Sequence, residues 1–504
     1  MGGKSRTRYS LRNSGIGIVA KSISILGGYF TRILLVRVVS PELVGLNGLF
    51  FTILGGLMLS SMGLDTAMAF SLFRPVAQED TAKQRALLNL YRRIYLCFSA
   101  AIGLIGLCVY AFLPTFVHGE IDRGTITLIY FLFLLNTILS YQWASRSMLF
   151  FARQKNYVND LFSSAFWSIQ YLTQCLVLVF TKSFVLFLVV ELACTALRNI
   201  SVSLYAGKKY PFLKDSAAEV ISKEEKKTIV RNIRAMLLHK SGRVIIDNTD
   251  NMLLSAMFGL ASVASYSNYA LISGSVNQLF TRMINGISAS VGNIGATESK
   301  EQTASVFDLA LFVTCWVFGF GAICLFLLLG PFVHISFGRQ YLLPQALTFV
   351  LCLNFYLNGV RRASLVFRDS LGLFWKDRYK TIAEGVVNLV FSILLAKKLG
   401  ITGILLGTTL SYVTVSLWVE PLVLYREYFK SPVMGYFKKL FGYSLAIAAA
   451  GAAAWAACRL VPGDTFWSLL GKGVLCAVVP NALLLLVLRN RTEFRALKKI
   501  LLHR

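Results

Sequence analysis

Ionisable side chains inside long apolar runs are the first candidates for chemistry here. Each costs about 2.5–3.5 kcal/mol at the centre of a membrane helix and so needs a reason to be there. Lys240, Arg243, Asp247 and Asp250 follow a 3-4-3 spacing, which puts all four along one face of a helix. In the next apolar run Asn268, Ser275, Gln278, Arg282 and Asn285 recur at helical spacings. Lys21 and Arg32 stand eleven residues apart, about 20° around a helix, and share their face with Ser24 and Gly28. Asp65 lies near the end of the second apolar run. Facing lipid, these eight charges would cost on the order of 20 kcal/mol, so they are expected to face a hydrated cavity, one another or the cytoplasmic interface.

Lys21, Arg32, Lys240, Arg243 and Arg282 are cationic, against the acids Asp65, Asp247 and Asp250. That balance favours an anionic passenger, with phosphate or diphosphate the group that Arg and Lys usually bind. The acids either pair with these cations or bind Na⁺ or H⁺ for coupling, and the sequence leaves both open. Asn268, Gln278 and Asn285 are suited to hydroxyl groups. A plainer reading has Lys21 and Lys240 snorkelling to the headgroups and Arg243 pairing with Asp247 for structure alone. Arg37 reads as an interfacial anchor. Arg146, Arg153, Arg361, Arg362 and Arg368 read as topology signals with a cytoplasmic gate as the alternative. Glu191, Glu384 and Glu420 read as structural partners of nearby Arg or Lys. His118 and His334 form no metal-spaced pair, and no catalytic constellation is visible, so neither a metal nor a resident cofactor is expected and a transporter fits better than an enzyme.

The elements that must position these residues follow from composition. Of 504 residues 56% are hydrophobic and 15% charged, with mean hydropathy +0.63, against about 25% charged in soluble domains. Fourteen spans can be drawn near 13–37, 42–72, 94–114, 125–151, 158–180, 183–205, 232–258, 262–291, 304–329, 343–366, 381–399, 402–424, 440–459 and 467–488, each close to the ~20 residues that cross a bilayer. The first is too long for a signal-peptide core. The formal charge of +27 would suggest nucleic acid in a soluble chain, but with both termini cytoplasmic about 38 of the 51 Lys and Arg fall inside, as the positive-inside rule requires. The nine cysteines lie in or beside apolar spans without a pairing pattern, as small core residues do. The final two spans are poor in polar groups, and the Ala-rich 446–457 stretch predicts close helix packing.

Similarity at a constant spacing of 219 residues links the two halves: Asn13 with Asn232, Lys21-Ser22 with Lys240-Ser241, Gly55 with Gly274, and Ala144-Ser145 with Ala363-Ser364. Each unit holds an even number of spans, so the repeats are expected to be parallel. The predicted architecture is all-α and polytopic: helices 1–6 over residues 1–211, helices 7–12 over 212–430, and helices 13–14 with a basic tail over 431–504.

A family resemblance rests on the first spans. The first ends in Arg37-x-x-Ser40-Pro41-Glu42, followed by Val44-Gly45-Leu46-Asn47-Gly48-Leu49-Phe50 and Gly63-Leu64. The stretch Asn13 to Phe73, together with the 6+6+2 plan, resembles Wzx-type polysaccharide flippases of the multidrug/oligosaccharidyl-lipid/polysaccharide exporter superfamily. The resemblance implies two lobes around a cationic cavity in a bacterial cytoplasmic membrane. It further implies passage of a polyprenyl-diphosphate-linked oligosaccharide to the outer leaflet by alternating access, with polymerase and glycosyltransferases as partners. It also implies a lipid-tail groove at the last two helices and a headgroup contact for which Lys21 is the matching position. A cation-coupled multidrug exporter is the competing transporter, disfavoured by the basic balance. A membrane polysaccharide polymerase or ligase would need a substantial outer loop, and the predicted ones are short.

Overall fold

Pro41 and several capping side chains set where this chain breaks between helices. The structure, a computed structural model, describes residues 3–60, 62–117, 121–153, 155–213, 249–285, 299–371 and 379–502, with 221–224, 226–227, 229–230, 291, 373 and 376–377 besides. Helix α1 (Gly3–Val38) stops before Ser40-Pro41, since a residue preceding proline is driven out of helical geometry. Pro41 then opens α2 (Pro41–Ser60), where its missing N–H is not needed. After α3 (Met62–Ala77), Asp80 caps α4 (Thr81–Phe116) by accepting from the Lys83 amide at 2.9 Å. Asp122 does the same for α5 (Arg123–Tyr141), and Ser183 for α8 (Phe184–Lys209). Between them lie α6 (Ala144–Ala152) and α7 (Tyr157–Thr181).

The chain divides into two compact units, Met1–Ala264 and Ser265–Arg504, with the boundary inside α9 (Leu260–Asn285). The second unit continues with α10 (Lys300–Phe337), opened by a Ser299/Gln302 capping box, and α11 (Gln345–Ser370). Then come α12 (Lys380–Leu399), α13 (Ile401–Phe429), α14 (Met434–Arg459), α15 (Phe466–Leu488) and the short α16 (Thr492–Leu502). Among the described residues there is no strand, and nine helices are long and apolar enough to cross a membrane. The chain is an all-α polytopic membrane protein.

Thirteen of the predicted spans fall on these helices, and 232–258 lies mostly outside the described residues. Two details differ from expectation. The span drawn at 125–151 is two helices, broken at Gln142–Trp143 where Trp143 adopts left-handed backbone (φ 63°). The connection expected between the second and third spans is mostly helix. At 36 residues α4 is about 54 Å long, well over the ~30 Å hydrocarbon core, so Lys83, Arg85, Arg92 and Arg93 ride on a helical extension.

The 219-residue spacing reappears in the helices. Moved by that amount, α4 starts where α10 starts, α5 and α6 together fall on α11, α7 falls on α12 and α8 inside α13.

Small residues bring α12 and α13 together after a turn at Gly400 (φ 62°). A Cβ at Gly403 would lie 2.2 Å from the Leu395 carbonyl oxygen, and one at Gly407 2.2 Å from Ser392 Oγ, so only glycine permits this approach. Polar bonds then tie the pair to α11. Ser392 donates to the Ile404 carbonyl at 2.9 Å, and Asn354 donates to the Leu405 carbonyl at 2.9 Å while accepting from Thr409 at 2.7 Å. Two π-helical turns, Tyr412–Ser416 and Leu424–Phe429, interrupt α13. In α14 Ala450 and Ala454 are buried, while most other alanines of the 446–457 stretch are not. Trp316 of α10 donates to Asn481 of α15 at 2.8 Å. Lys439 of α14 bridges Asp308 and Glu493 at 2.7 and 3.0 Å.

Candidate functional site

The predicted polar stripe of α1 is partly taken up by packing. Tyr171 of α7 lays its ring against Gly27, where a Cβ would be 2.2 Å away, and donates to the Ser24 carbonyl at 3.3 Å. The Ser24–Gly28 stretch is therefore a helix contact rather than an open face. On either side of it Lys21 and Arg32 are half-buried. Arg32 donates through Nη1 to Asn47 Oδ1 of α2 at 3.0 Å, so the amide of the Val44–Phe50 segment positions this guanidinium. Asp250 is half-buried, and its neighbour Asn251 donates to Thr52 of α2 at 2.6 Å. The Asp65 side chain and all of Lys240, Arg243 and Asp247 lie outside the described residues. In the second unit Asn268 is fully buried, whereas Gln278, Arg282 and Asn285 are exposed on the last turns of α9.

A different set of charges converges in the second unit. Arg361 of α11 is 2% exposed and donates to Glu384 of α12 at 3.0 and 3.3 Å and to Glu420 of α13 at 2.7–3.3 Å. Each of its three nitrogens is committed to a carboxylate, and its guanidinium also lies 4.8 Å from the Tyr412 ring centre. Lys380 closes the cluster by donating to Glu420, and lies 3.6 Å from Asp377. Two turns along α11, Arg368 pairs with Asp369 at 2.7 Å and with Asp377. Arg361, Lys380, Glu384 and Glu420 balance to zero charge in a buried place where an unpaired ion would be expelled.

Geometry assigns this cluster to holding helices, since the donors of Arg361 are already spent. Glu384 and Glu420 are structural partners of Arg and Lys, as the sequence suggests. Arg361 and Arg368, read from the sequence as topology signals or a cytoplasmic gate, are buried members of ion pairs. Sequence reasoning passed over Lys380 and Asp377, although Lys380 and Glu384 stand four apart, the spacing of facing residues on a helix. Glu191 accepts from Asn136 at 3.1 Å rather than from a cation. Arg146 donates to Ser203 Oγ at 3.0 Å, and Arg153 donates to Gln84 at 2.8 Å beneath the Tyr210 ring. No group of His, Cys, Asp and Glu among the described residues could hold a metal ion.

The sequence matches no family profile and no curated protein. Solved structures do match. A lipid II flippase, MurJ, in an inward closed conformation superposes with TM-score 0.70 at 15% identity, covering 94% of this chain and 99% of that one. An inward-facing multidrug resistance transporter of the MATE family gives 0.60 at 15% identity, covering 81% and 98%. The MATE transporter VcmN of Vibrio cholerae gives 0.57 at 12%, covering 85% and 98%. At such identities the likeness is one of fold, and that fold is shared along nearly the whole chain.

Proposed function

We propose that this chain is a transporter of the multidrug/oligosaccharidyl-lipid/polysaccharide exporter type. In this reading it is a Wzx-like flippase carrying polyprenyl-diphosphate-linked oligosaccharide from the inner to the outer leaflet of a bacterial cytoplasmic membrane, for surface polysaccharide synthesis. The observation that carries the reading is coverage: the lipid II flippase accounts for 94% of this chain, the two MATE transporters for 81% and 85%. The excess of cations over acids in the apolar runs supports an anionic headgroup over a cationic drug. Lys21, Arg32, Lys240, Arg243 and Arg282 would hold the diphosphate. Asn268, Gln278 and Asn285 would meet sugar hydroxyls, and Asp65, Asp247 or Asp250 would pair with cations or couple transport to Na⁺ or H⁺. Two six-helix lobes, 1–211 and 212–430, would alternate in access with helices 13–14 beside them, both termini being cytoplasmic.

Mass spectrometry of polyprenyl-linked lipids after deletion of the gene tests this. An oligosaccharyl-diphosphate lipid building up inside the cell is the expected result. An unchanged lipid pool with new sensitivity to cationic drugs would replace the flippase by an exporter. Lys21→Ala is expected to cause the same build-up while the protein stays at wild-type abundance on immunoblots.

A further inference from the structure

Where α10, α11, α14 and α15 end together, the second unit holds a hollow of about 430 Å³, within the range of small-molecule sites. Its wall includes Trp455 and Arg459 of α14, Asp464 of the connection, Lys472 of α15, Gln345 of α11 and Phe326 of α10. None of these belongs to the ion cluster of α11–α13 or to the charged stripes of α1 and α9.

The geometry points to a saccharide-binding pocket that takes a neutral sugar residue. Both cations in the wall already have partners. The Arg459 guanidinium sits 3.7 Å from the Trp455 ring centre, and Lys472 donates to the Gly463 carbonyl at 2.8 Å while lying 3.7 Å from Asp464. Asp464 is half exposed, with His334 Nδ1 also 3.7 Å away. A phosphate entering here would meet the Asp464 carboxylate. A hydrocarbon tail would strip water from Asp464, Gln345 and Lys472 and return no hydrogen bond, a desolvation cost with nothing to offset it. A sugar satisfies all of them at once. Its hydroxyls donate to Asp464 and accept from Lys472 and Gln345, and the apolar face of its ring covers aromatic carbon of Trp455 and Phe326. Trp455 is 38% exposed, so its ring is within a ligand's reach. Only the origin of the sugar, as part of a lipid-linked glycan, rests on the flippase reading; the pocket chemistry stands without it.

Saturation-transfer NMR tests this with the full chain in lipid nanodiscs and a panel of methyl glucoside, methyl galactoside, methyl mannoside and N-acetylglucosamine. Transfer to ring protons of at least one sugar is expected. It should weaken about tenfold in Trp455→Ala and in Asp464→Asn, and persist in Leu460→Ala, an exposed residue outside the wall. Asp464 is exposed enough that its variant remains decisive even if Trp455→Ala fails to fold. No transfer to any sugar, or transfer unchanged in both variants, overturns the pocket. Inorganic phosphate binding that Arg459→Gln removes would overturn it in favour of an anion site. Lipid-linked glycan accumulating on deletion without sugar binding here breaks the pocket alone. Sugar binding with an unchanged lipid pool breaks the flippase reading alone.

Discussion

Helices α4–α8 of the first unit recur as α10–α13 of the second at a 219-residue spacing, and different chemistry holds them. In the second unit, α11, α12 and α13 meet through Arg361, Lys380, Glu384 and Glu420. The corresponding residues of the first unit are Gln142, Leu161, Ala165 and Ser201, none of them charged. Arg146 and Arg153 reach Ser203 and Gln84 instead, neutral acceptors in both cases. Where α13 has Gly403 and Gly407 against α12, α8 has Phe184 and Leu188. The matched helices therefore share order and approximate length while the contacts that hold them differ. The second unit is cross-linked by buried ion pairs and close backbones, whereas in the first the arginines bond to neutral acceptors and larger side chains fill the helix contact.

The largest expected effect comes from removing one carboxylate of the cluster. Glu420→Gln leaves Arg361 and Lys380 short of compensation in a buried place, and breaking such a pair costs about 3–5 kcal/mol. Thermal unfolding in detergent should show a large drop in Tm, and an unchanged Tm would erase the contrast between the units. Next is Gly407→Leu, which imports the first unit's residue. Its side chain would run into Ser392, and overpacking of this kind costs about 1–3 kcal/mol, while Leu188→Met at the equivalent place should be nearly neutral. Arg146→Gln removes hydrogen bonds to Ser203 from a half-buried charge, with about 1.5 kcal/mol lost. If it matched Glu420→Gln, ion pairing would not be what distinguishes the two units.

The smallest effect sharpens the attachment of α16. Burial alone would raise the Glu493 carboxyl, but its own backbone amide and Lys439 outweigh burial and hold it below the ordinary glutamate range. A depressed folded value means that the contribution is complete above the unfolded glutamate pKa of about 4.3. It is lost as pH falls through the folded value. Amide exchange in α16 should be slow at pH 7 and speed up, after correction for intrinsic rates, in strongly acidic buffer. Glu493→Gln should already exchange fast at pH 7.

Much of this fold was legible because long apolar runs report directly on membrane helices. The break at Trp143 was not, since no proline or glycine marks it and the apolar pattern runs through. The candidate stripe of α1 was found by spacing, yet spacing could not tell that Tyr171 covers Ser24 and Gly28 from another helix. The ion pairs of Arg361 and Arg368 were not legible because a cation near a span end looks the same to hydropathy whether it faces headgroups or, like Arg361, a carboxylate 59 residues on. The pocket beside Trp455 escaped notice because its wall draws on loops and helix ends far apart in sequence.

The π-helical turns of α13 bear on motion rather than on strength. Each stores one surplus residue in the helix, so relaxing one to ordinary α geometry would turn everything beyond it by about 100°. Glu420 lies between the two, after Tyr412–Ser416 and before Leu424–Phe429. Relaxation of the first would swing its carboxylate relative to Arg361 without breaking the helix, converting a fixed clasp into a ratchet with a step of one residue.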